Sequence, residues 1–546
     1  MVEDHRARRR RVGGWGFEGE TFPPTPQLLA WLEAHIGPPL HPVAATPPDP
    51  PAFSPRSVGD LGLEASVDAH DRLAHARGQG LVDVLRLRTG RLPSLPDAVV
   101  RPSDADEVGS LLRRCSEMDV RVIPWGGGTS VTGGVNVLAS DRPVVVADLE
   151  RLTGLWNLDP ISRLAVFGPG TTGPAVESAL SEHGLTLGHY PQSWELATVG
   201  GWVATRSSGQ ESMGYGRIED MVAGLELIAP HDRLALRARP ASAAGPDLRQ
   251  LVMGSEGRFG VITEVTLRVR PRPQQLIVEA ALLPDLDRGL DTVRSLIQDD
   301  VPLTVLRLSD ARETEVALSI GLAANRFAPL LRSLLRLRGL GDEACLALVG
   351  VAGSPPVTAD TMDHARTLIR RHRGVMLGRG PGEHWKRDRF RHPYLREGLL
   401  DLGYATDTLE TATTWSDAAG VRNTVREAVS SALETDDERV AVLCHVSHPY
   451  PDGTSLYFTF FFRCCADPDA TIARWARIKR AANQALIETG ATLSHHHGIG
   501  QWHAPGYPLE VGATGRDLVA ACAERLDPGG ILAPWALLDP TDHLEA

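Results

Sequence analysis

The chain has 546 residues, with 56 Lys and Arg against 68 Asp and Glu, a net charge of −12 with histidine neutral. So acidic a surface is a poor non-specific partner for nucleic acid, although local basic pockets can still take an anionic substrate. Apolar residues at 42% and charged residues at 23% exclude wholesale disorder, and the length exceeds what one core organises, so two or three domains are expected. No apolar run reaches the roughly 20 residues of a membrane span. The basic start over 1–11 runs into Val-Gly-Gly-Trp-Gly-Phe, not an apolar segment, so no secretory leader is expected. Six cysteines without a CxxC pair read as reduced, mostly buried thiols of a cytoplasmic protein.

In chain order, 27–36 is an amphipathic helix and 37–56 a proline-rich linker. The stretch 60–90 has helical periodicity in Ala74, Leu81, Val82, Val84 and Leu85. A short strand over 95–102 is followed by a helix capped by Ser103, with Asp104, Asp106 and Glu107 in its first turn. Val108, Leu111, Leu112, Cys115 and Met118 form its buried stripe. Strands are expected at 121–124, 144–147, 164–167 and 261–269, and a helix at 173–182. After the prolines at 271 and 273 the composition shifts. Strand runs at 275–281, 345–351 and 457–462 then alternate with helical patterns at 424–433 and 470–490. The expected fold class is α+β. The expected domains are an N-terminal arm and linker (1–91), a cofactor-binding domain (92–273), a cap domain (274–490) and a C-terminal segment (491–546).

The sharpest motif is Pro124-Trp-Gly-Gly-Gly-Thr-Ser-Val-Thr-Gly-Gly, five glycines in eleven residues directly after a strand. Such a backbone turns tightly and gathers its N–H groups around phosphate, with Thr129 and Ser130 as further donors. Its spacing fits neither GxGxxG nor GxxxxGK[ST]. Two more clusters of small and hydroxyl residues lie at 188–208 and 254–264. Near the end stands Ser494-His-His-His-Gly. On residue type alone, the three histidines could be a surface accident or a zinc site. Tyr457 could be a packed strand tyrosine, and Arg307 and Arg396 ordinary paired arginines. The basic run over 386–391 could be a solvated face or could meet an anionic substrate or lipid headgroup.

The three glycine-rich segments, in this order, resemble the FAD-binding domain of the vanillyl-alcohol-oxidase superfamily (PCMH type). Nearly end to end the chain resembles the alkyldihydroxyacetonephosphate synthases (alkylglycerone-phosphate synthases) of ether-lipid synthesis. Gly14-Trp-Gly-Phe, Thr198-Val-Gly-Gly-Trp, Tyr215-Gly-Arg, Gly254-Ser-Glu-Gly, Leu409-Glu-Thr, Ser494-His-His-His-Gly and Asp527-Pro carry the likeness. The resemblance implies an α+β cap beside the FAD domain, and a non-redox exchange of the acyl chain of acyl-dihydroxyacetone phosphate for a fatty alcohol through a bond to flavin N5. It implies FAD lined by Pro124, Trp125, Gly126, Gly127, Gly128, Thr129 and Ser130. Gln192, Ser193, Trp194, Glu195, Leu196, Ala197 and Thr198 would join them, with Thr205, Arg206, Ser207 and Ser208, and with Ser255, Glu256, Gly257, Arg258, Phe259, Gly260 and Val261. It makes Tyr457 the acid/base, His495, His496 and His497 the essential triplet, Arg307 an arginine needed for activity and Arg396 the substrate-binding arginine. A tyrosine in that role is expected to have a lowered pKa.

No histidine lies between Pro124 and Gly134, so the FAD is expected to be non-covalent. No metal is expected, although His445 and His448 leave a case for one. No peroxisomal address is found at either end. Where the family reads Gly-Asn-Arg-Asn-Leu-Leu, this chain has Ala533-Pro-Trp-Ala-Leu-Leu, one arginine fewer near the substrate headgroup. The expected partners are a small-molecule lipid substrate and a second copy of the chain (a homodimer), with peripheral membrane contact and no nucleic acid. The alternatives are an FAD-dependent 2-hydroxy-acid dehydrogenase or oxidase of the D-lactate/glycolate type, whose metal-binding histidine and glutamate would be replaced here by Tyr457 and His496, and a flavin- and lipid-binding protein without turnover.

Overall fold

The computed structural model describes residues 8–44, 49–323 and 328–545. Residues 1–7 of the basic start and 45–48 of the proline-rich linker lie outside the described residues. The chain opens with an arm, in which Arg10 bridges Phe17, and the helix Pro26–Ile36, capped by Thr25. The expected helical stretch over 60–90 is two helices, Ala69–Ala74 and Leu81–Thr89. The chain breaks between them because it must pass tightly under the first glycine loop. Gln79 N donates to Ser130 O at 2.7 Å, and a Cβ on Gly80 would lie 2.0 Å from the Trp502 ring.

The first sheet joins β1 (Ala65–Ser66), β2 (Ala98–Val100), β3 (Arg121–Trp125) and β4 (Val144–Asp148) in the order β1-β2-β4-β3, with β2, β4 and β3 parallel. Between β2 and β3, the helix Ala105–Glu117 buries Val108, Leu111, Leu112 and Cys115. Its cap is Asp104, not Ser103: Asp104 accepts the Glu107 N–H at 2.8 Å. Ser103 instead donates its N–H and hydroxyl to the Glu107 carboxylate, which closes the turn from outside.

The second sheet has the order β5-β6-β10-β8-β9, all antiparallel neighbours. It comprises β5 (Leu155–Asp159), β6 (Leu164–Phe167), β8 (Val222–Ile228), β9 (Arg233–Leu236) and β10 (Val261–Arg268); the short β7 (Leu185–Thr186) pairs with β11 (Arg270–Pro271). The helices Gly173–Ser181 and Val199–Thr205 follow β6.

The third sheet has seven strands, β15-β12-β14-β13-β17-β18-β16. They are β12 (Gln275–Leu283), β13 (Val305–Ser309), β14 (Cys345–Gly353), β15 (Val375–Gly378), β16 (Tyr404–Thr414), β17 (Ala441–Pro449) and β18 (Gly453–Arg463). Its largest core packs Val442, Phe458, Phe460 and Phe462 against the helices Ala418–Ser431 and Pro468–Thr489. The chain then returns: Leu532 bridges Val122, and Ala533 N donates to Val122 O. The loop 491–503 is thereby drawn between the third sheet and the glycine loops. All six cysteines are free thiols, four of them buried.

Candidate active site

One cavity of about 800 Å³ runs from the glycine loops to the helix Pro26–Ile36. At its first end the backbone needs glycine for plain steric reasons. A Cβ on Gly127 would lie 2.0 Å from Leu196 O, and one on Gly126 would lie 2.3 Å from Thr198 Oγ1. Thr198 also caps the helix Val199–Thr205 by accepting the Gly201 N–H. The wall contains the whole run from Pro124 to Ser130, with Gln192, Ser193, Ala197, Thr198, Thr205, Ser207, Ser208, Glu256, Gly257 and Gly260. The Ser208 hydroxyl is buried and has no hydrogen-bond partner among the described residues. A flat, phosphate-bearing cofactor fits this slot: the glycines leave the room and the hydroxyls supply donors.

The other residues expected at the cofactor stand behind the wall. Trp194 stacks on Phe390 at 5.0 Å, and Glu195 accepts the Tyr394 hydroxyl proton at 2.8 Å. Leu196 backs Gly127, and Arg206 closes its helix in the left-handed region at φ 53°. Ser255 is buried, Arg258 binds Asp527 and Leu532 O, and Phe259 and Val261 lie in the cores.

The third sheet supplies the middle of the cavity. Tyr457 on β18 is flanked in register by His445 on β17 and Glu410 on β16. Its ring stacks on His445 at 4.9 Å and on His496 at 6.1 Å, and meets His497 edge-on at 5.7 Å. Burial pushes the Tyr457 phenol up to about 12, not down as expected, so it is neutral at rest. Arg307 on β13 binds Glu313 and the Nδ1 of His445, itself 3.1 Å from Glu313. Burial opposes the Glu313 charge, but His445 and Arg307 hold its carboxyl well below the ordinary range. Arg396 lies in the wall on the helix His392–Leu400, tied to Gln79 O and to Glu397.

The His loop is organised by two carboxylates: Glu410, which sequence reading gave no role, and Glu256, expected there only among the residues lining FAD. Glu410 accepts the N–H groups of His495, His496 and His497 at 2.7, 3.0 and 3.0 Å and the Ser494 hydroxyl at 2.9 Å. Burial opposes its charge, but the N–H groups of the His loop hold its carboxyl well below the ordinary range. From the other side Glu256 accepts the N–H groups of Ile499 and Gly500, both at 2.7 Å; burial raises its carboxyl to about 7. His496 and His497 line the cavity, whereas His495 lies behind them. Burial lowers all three imidazoles, so they are neutral at rest.

The nitrogens of His448, His495 and His496 lie within 4.8 Å of one another, a spacing that could hold a metal ion. His448 is committed elsewhere: its Nε2 donates to Gly209 O at 3.0 Å, which leaves Nδ1 to accept from Ser447 at 2.8 Å. Glu410 was legible as part of Leu409-Glu-Thr, since a carboxylate on a buried strand requires partners. Nothing in the sequence pointed to Tyr450, whose hydroxyl meets His495 Nε2 at 2.6 Å.

Comparison with known proteins agrees with this geometry. A model of the FAD binding domain matches residues 96–234, and one of the C-terminal domain of FAD linked oxidases matches 272–537. The alkyldihydroxyacetonephosphate synthase of Trypanosoma brucei brucei is 30% identical over 482 residues, covering 86% of this chain and 78% of the relative. The chain belongs to the alkyldihydroxyacetonephosphate synthase family. The Dictyostelium discoideum synthase is 28% identical over 501 residues, covering 90% of this chain and 82% of the relative. A solved alkyldihydroxyacetonephosphate synthase superposes with a TM-score of 0.81 at 24% identity, over 96% of this chain and 98% of that one. p-Cresol methylhydroxylase shares the fold at a TM-score of 0.66 and 14% identity, over 88% and 94% of the two chains. The fold is thus the α+β PCMH type, and FAD is the cofactor.

Gly127→Ala is expected to leave the sheets intact and abolish FAD retention. Flavin absorbance against protein content, with circular dichroism as the folding control, measures this. A variant that keeps full FAD would contradict the steric reading of the loop.

Proposed function

We propose that this chain exchanges the acyl chain of an acyl-dihydroxyacetone phosphate for a fatty alcohol, giving an ether lipid precursor and a fatty acid without net redox change. The observation that carries the reading is the placement of Tyr457, His496, His497 and Arg307 at a junction in one cavity. The glycine-lined FAD slot lies to one side of it. On the other side is an apolar branch walled by Leu28, Val316, Ala317, Ile320, Leu395, Leu443 and Phe461. An alkyl or acyl chain fits that branch, and the cationic Arg396 and Arg391 in the wall suit the phosphate. Trp535 stands where the family's motif carries an arginine. It is buried beneath Arg121, so phosphate binding falls to the arginines of the cavity wall.

When bound, FAD supplies the electron-accepting ring against which the substrate carbon reacts. The protein binds, orients and moves protons. Tyr457, a neutral phenol at rest, enters as a proton donor and becomes a base once its proton has been passed on. Neutral His496 and His497 can take and return a proton beside it. Arg307, fixed by Glu313, places positive charge near the developing negative charge. The absence of a histidine from the first glycine loop supports non-covalent FAD. The hydroxy-acid dehydrogenase reading is disfavoured. A glycolate oxidase subunit of Bacillus subtilis is 25% identical, but Tyr457 and His496 stand here at the two positions where the hydroxy-acid reading expects a metal-binding histidine and glutamate.

No helix among the described residues is long and apolar enough to cross a membrane. We place the enzyme in the cytoplasm as a homodimer in peripheral contact with a lipid surface. Leu330, Leu334 and Leu337, exposed on the helix Ala328–Leu337, support that contact. This helix follows Ala311–Gly321, whose residues line the apolar branch.

Purified protein given acyl-dihydroxyacetone phosphate and an isotopically labelled fatty alcohol, with no electron acceptor, is expected to form labelled ether. Tyr457→Phe is expected to keep its FAD and lose on the order of 10²-fold or more in kcat. Full turnover by that variant contradicts the acid/base role. Flavin turnover on 2-hydroxy acids, dependent on an acceptor and without ether formation, contradicts the exchange itself. Acid precipitation is expected to release the flavin into the supernatant; flavin retained in the pellet contradicts non-covalent binding.

A further inference from the structure

We propose that His496, His495 and Tyr450 form a path that carries a proton between the reaction cavity and the protein surface. This rests on the exchange reaction argued above, whose balance requires such an exit. The alcohol O–H bond breaks, the ester C–O bond to the dihydroxyacetone carbon breaks, and the ether C–O bond forms. The acid is a carboxylate at neutral pH, so each turnover releases one proton.

The geometry is continuous. His496 lines the cavity beside Tyr457. Its Nδ1 lies 2.9 Å from Nδ1 of His495, and His495 Nε2 lies 2.6 Å from the Tyr450 hydroxyl. His495 itself is buried and does not line the cavity. Tyr450 sits in the turn between β17 and β18, half-buried, and is followed by exposed Pro451 and Asp452. The turn is fixed: Tyr450 N donates to Gly453 O at 2.7 Å, and Trp415 Nε1 donates to Tyr450 O at 2.9 Å. Arg217 donates to His495 O at 2.7 Å, and the Glu410 carboxylate holds the backbone N–H groups of both histidines.

In one tautomer His496 presents a bare Nε2, donates Nδ1–H to His495 Nδ1, and His495 donates Nε2–H to the Tyr450 oxygen. A proton taken up at His496 Nε2 then displaces one proton along each bond, and the Tyr450 proton passes to water. One proton enters and one leaves. A transient imidazolium on His496 is stabilised by Glu410, whose Oε2 is 3.4 Å from His496 Nδ1. Burial keeps both imidazoles neutral between passages, so the path is not blocked by a trapped charge. Tyr450 does not touch the reacting atoms; it acts through His495.

The test compares wild type with Tyr450→Phe, both FAD-loaded, by kcat, KM and the solvent deuterium isotope effect at several buffer concentrations. The variant is expected to keep its FAD content and KM and to lose on the order of tenfold in kcat. Its isotope effect should rise, and added imidazole buffer should restore rate. On wild type alone, a bowed proton inventory is expected, because more than one proton is in flight. An unchanged kcat and isotope effect in the variant would overturn the path and mean that the proton leaves with the fatty acid. A fall in kcat that neither isotope nor buffer alters would also overturn it, leaving Tyr450 a structural role. A linear wild-type inventory would do the same. Wild type that forms no ether overturns the exchange reading, and the path with it.

Discussion

The candidate site depends on one buried carboxylate. Glu410 takes four hydrogen bonds from four consecutive residues of the His loop, three of them backbone N–H groups. A buried charge left unpaired is strongly destabilising, whereas each charge-assisted bond returns about 1.5–3 kcal/mol. The loop therefore cannot move away without leaving an ionised carboxylate alone in a closed interior. Because Glu410 lies opposite Tyr457 in the sheet register, the same interaction that fixes the loop also sets the histidines beside the tyrosine.

The opposite end of the loop is held by Glu256, in the third glycine-rich segment, which accepts the N–H groups of Ile499 and Gly500. The His loop is thus clasped between two carboxylates, one from the part of the chain that lines the FAD slot and one from the seven-stranded sheet. This explains how elements about 150 residues apart in sequence, at Glu256 and Glu410, keep a fixed relation across a large cavity. Preorganised neutral imidazoles and a neutral phenol cost little to bury. They can exchange protons without the reorganisation that fixed charges would require.

The parts of the site that were legible in the sequence are those whose chemistry leaves a local mark. Gly126 and Gly127 are needed where a side chain would strike Thr198 and Leu196, so the first loop could be read directly. The strands at 144–148, 261–268 and 453–463 were legible from runs of β-branched and aromatic residues. What could not be read is what long-range contacts decide. Glu410 and His495 are partners across 85 residues, and neither residue's neighbours announce the other. The helical pattern over 60–90 is periodic, yet it is broken where it passes under Ser130. Ser103 satisfies the local capping preference, but Asp104 takes the cap once Glu107 claims the serine. The direction of the Tyr457 shift was missed for the same reason. Burial in a sheet interior, which no local sequence reports, raises it, and the Glu410 and Asp407 carboxylates push the same way against Thr408 and Arg307.

The most direct measurement of the central claim is the rate of labelled ether formation by Glu410→Gln at matched FAD content. Glutamine keeps the shape but loses the charge and presents an amide N–H₂ to the loop's own donors. The expected result is full FAD retention with kcat reduced on the order of 10²-fold, because the loop no longer holds His496 and His497 beside Tyr457. A variant with wild-type kcat would contradict the account, since the histidines would then be held in place by something other than this carboxylate.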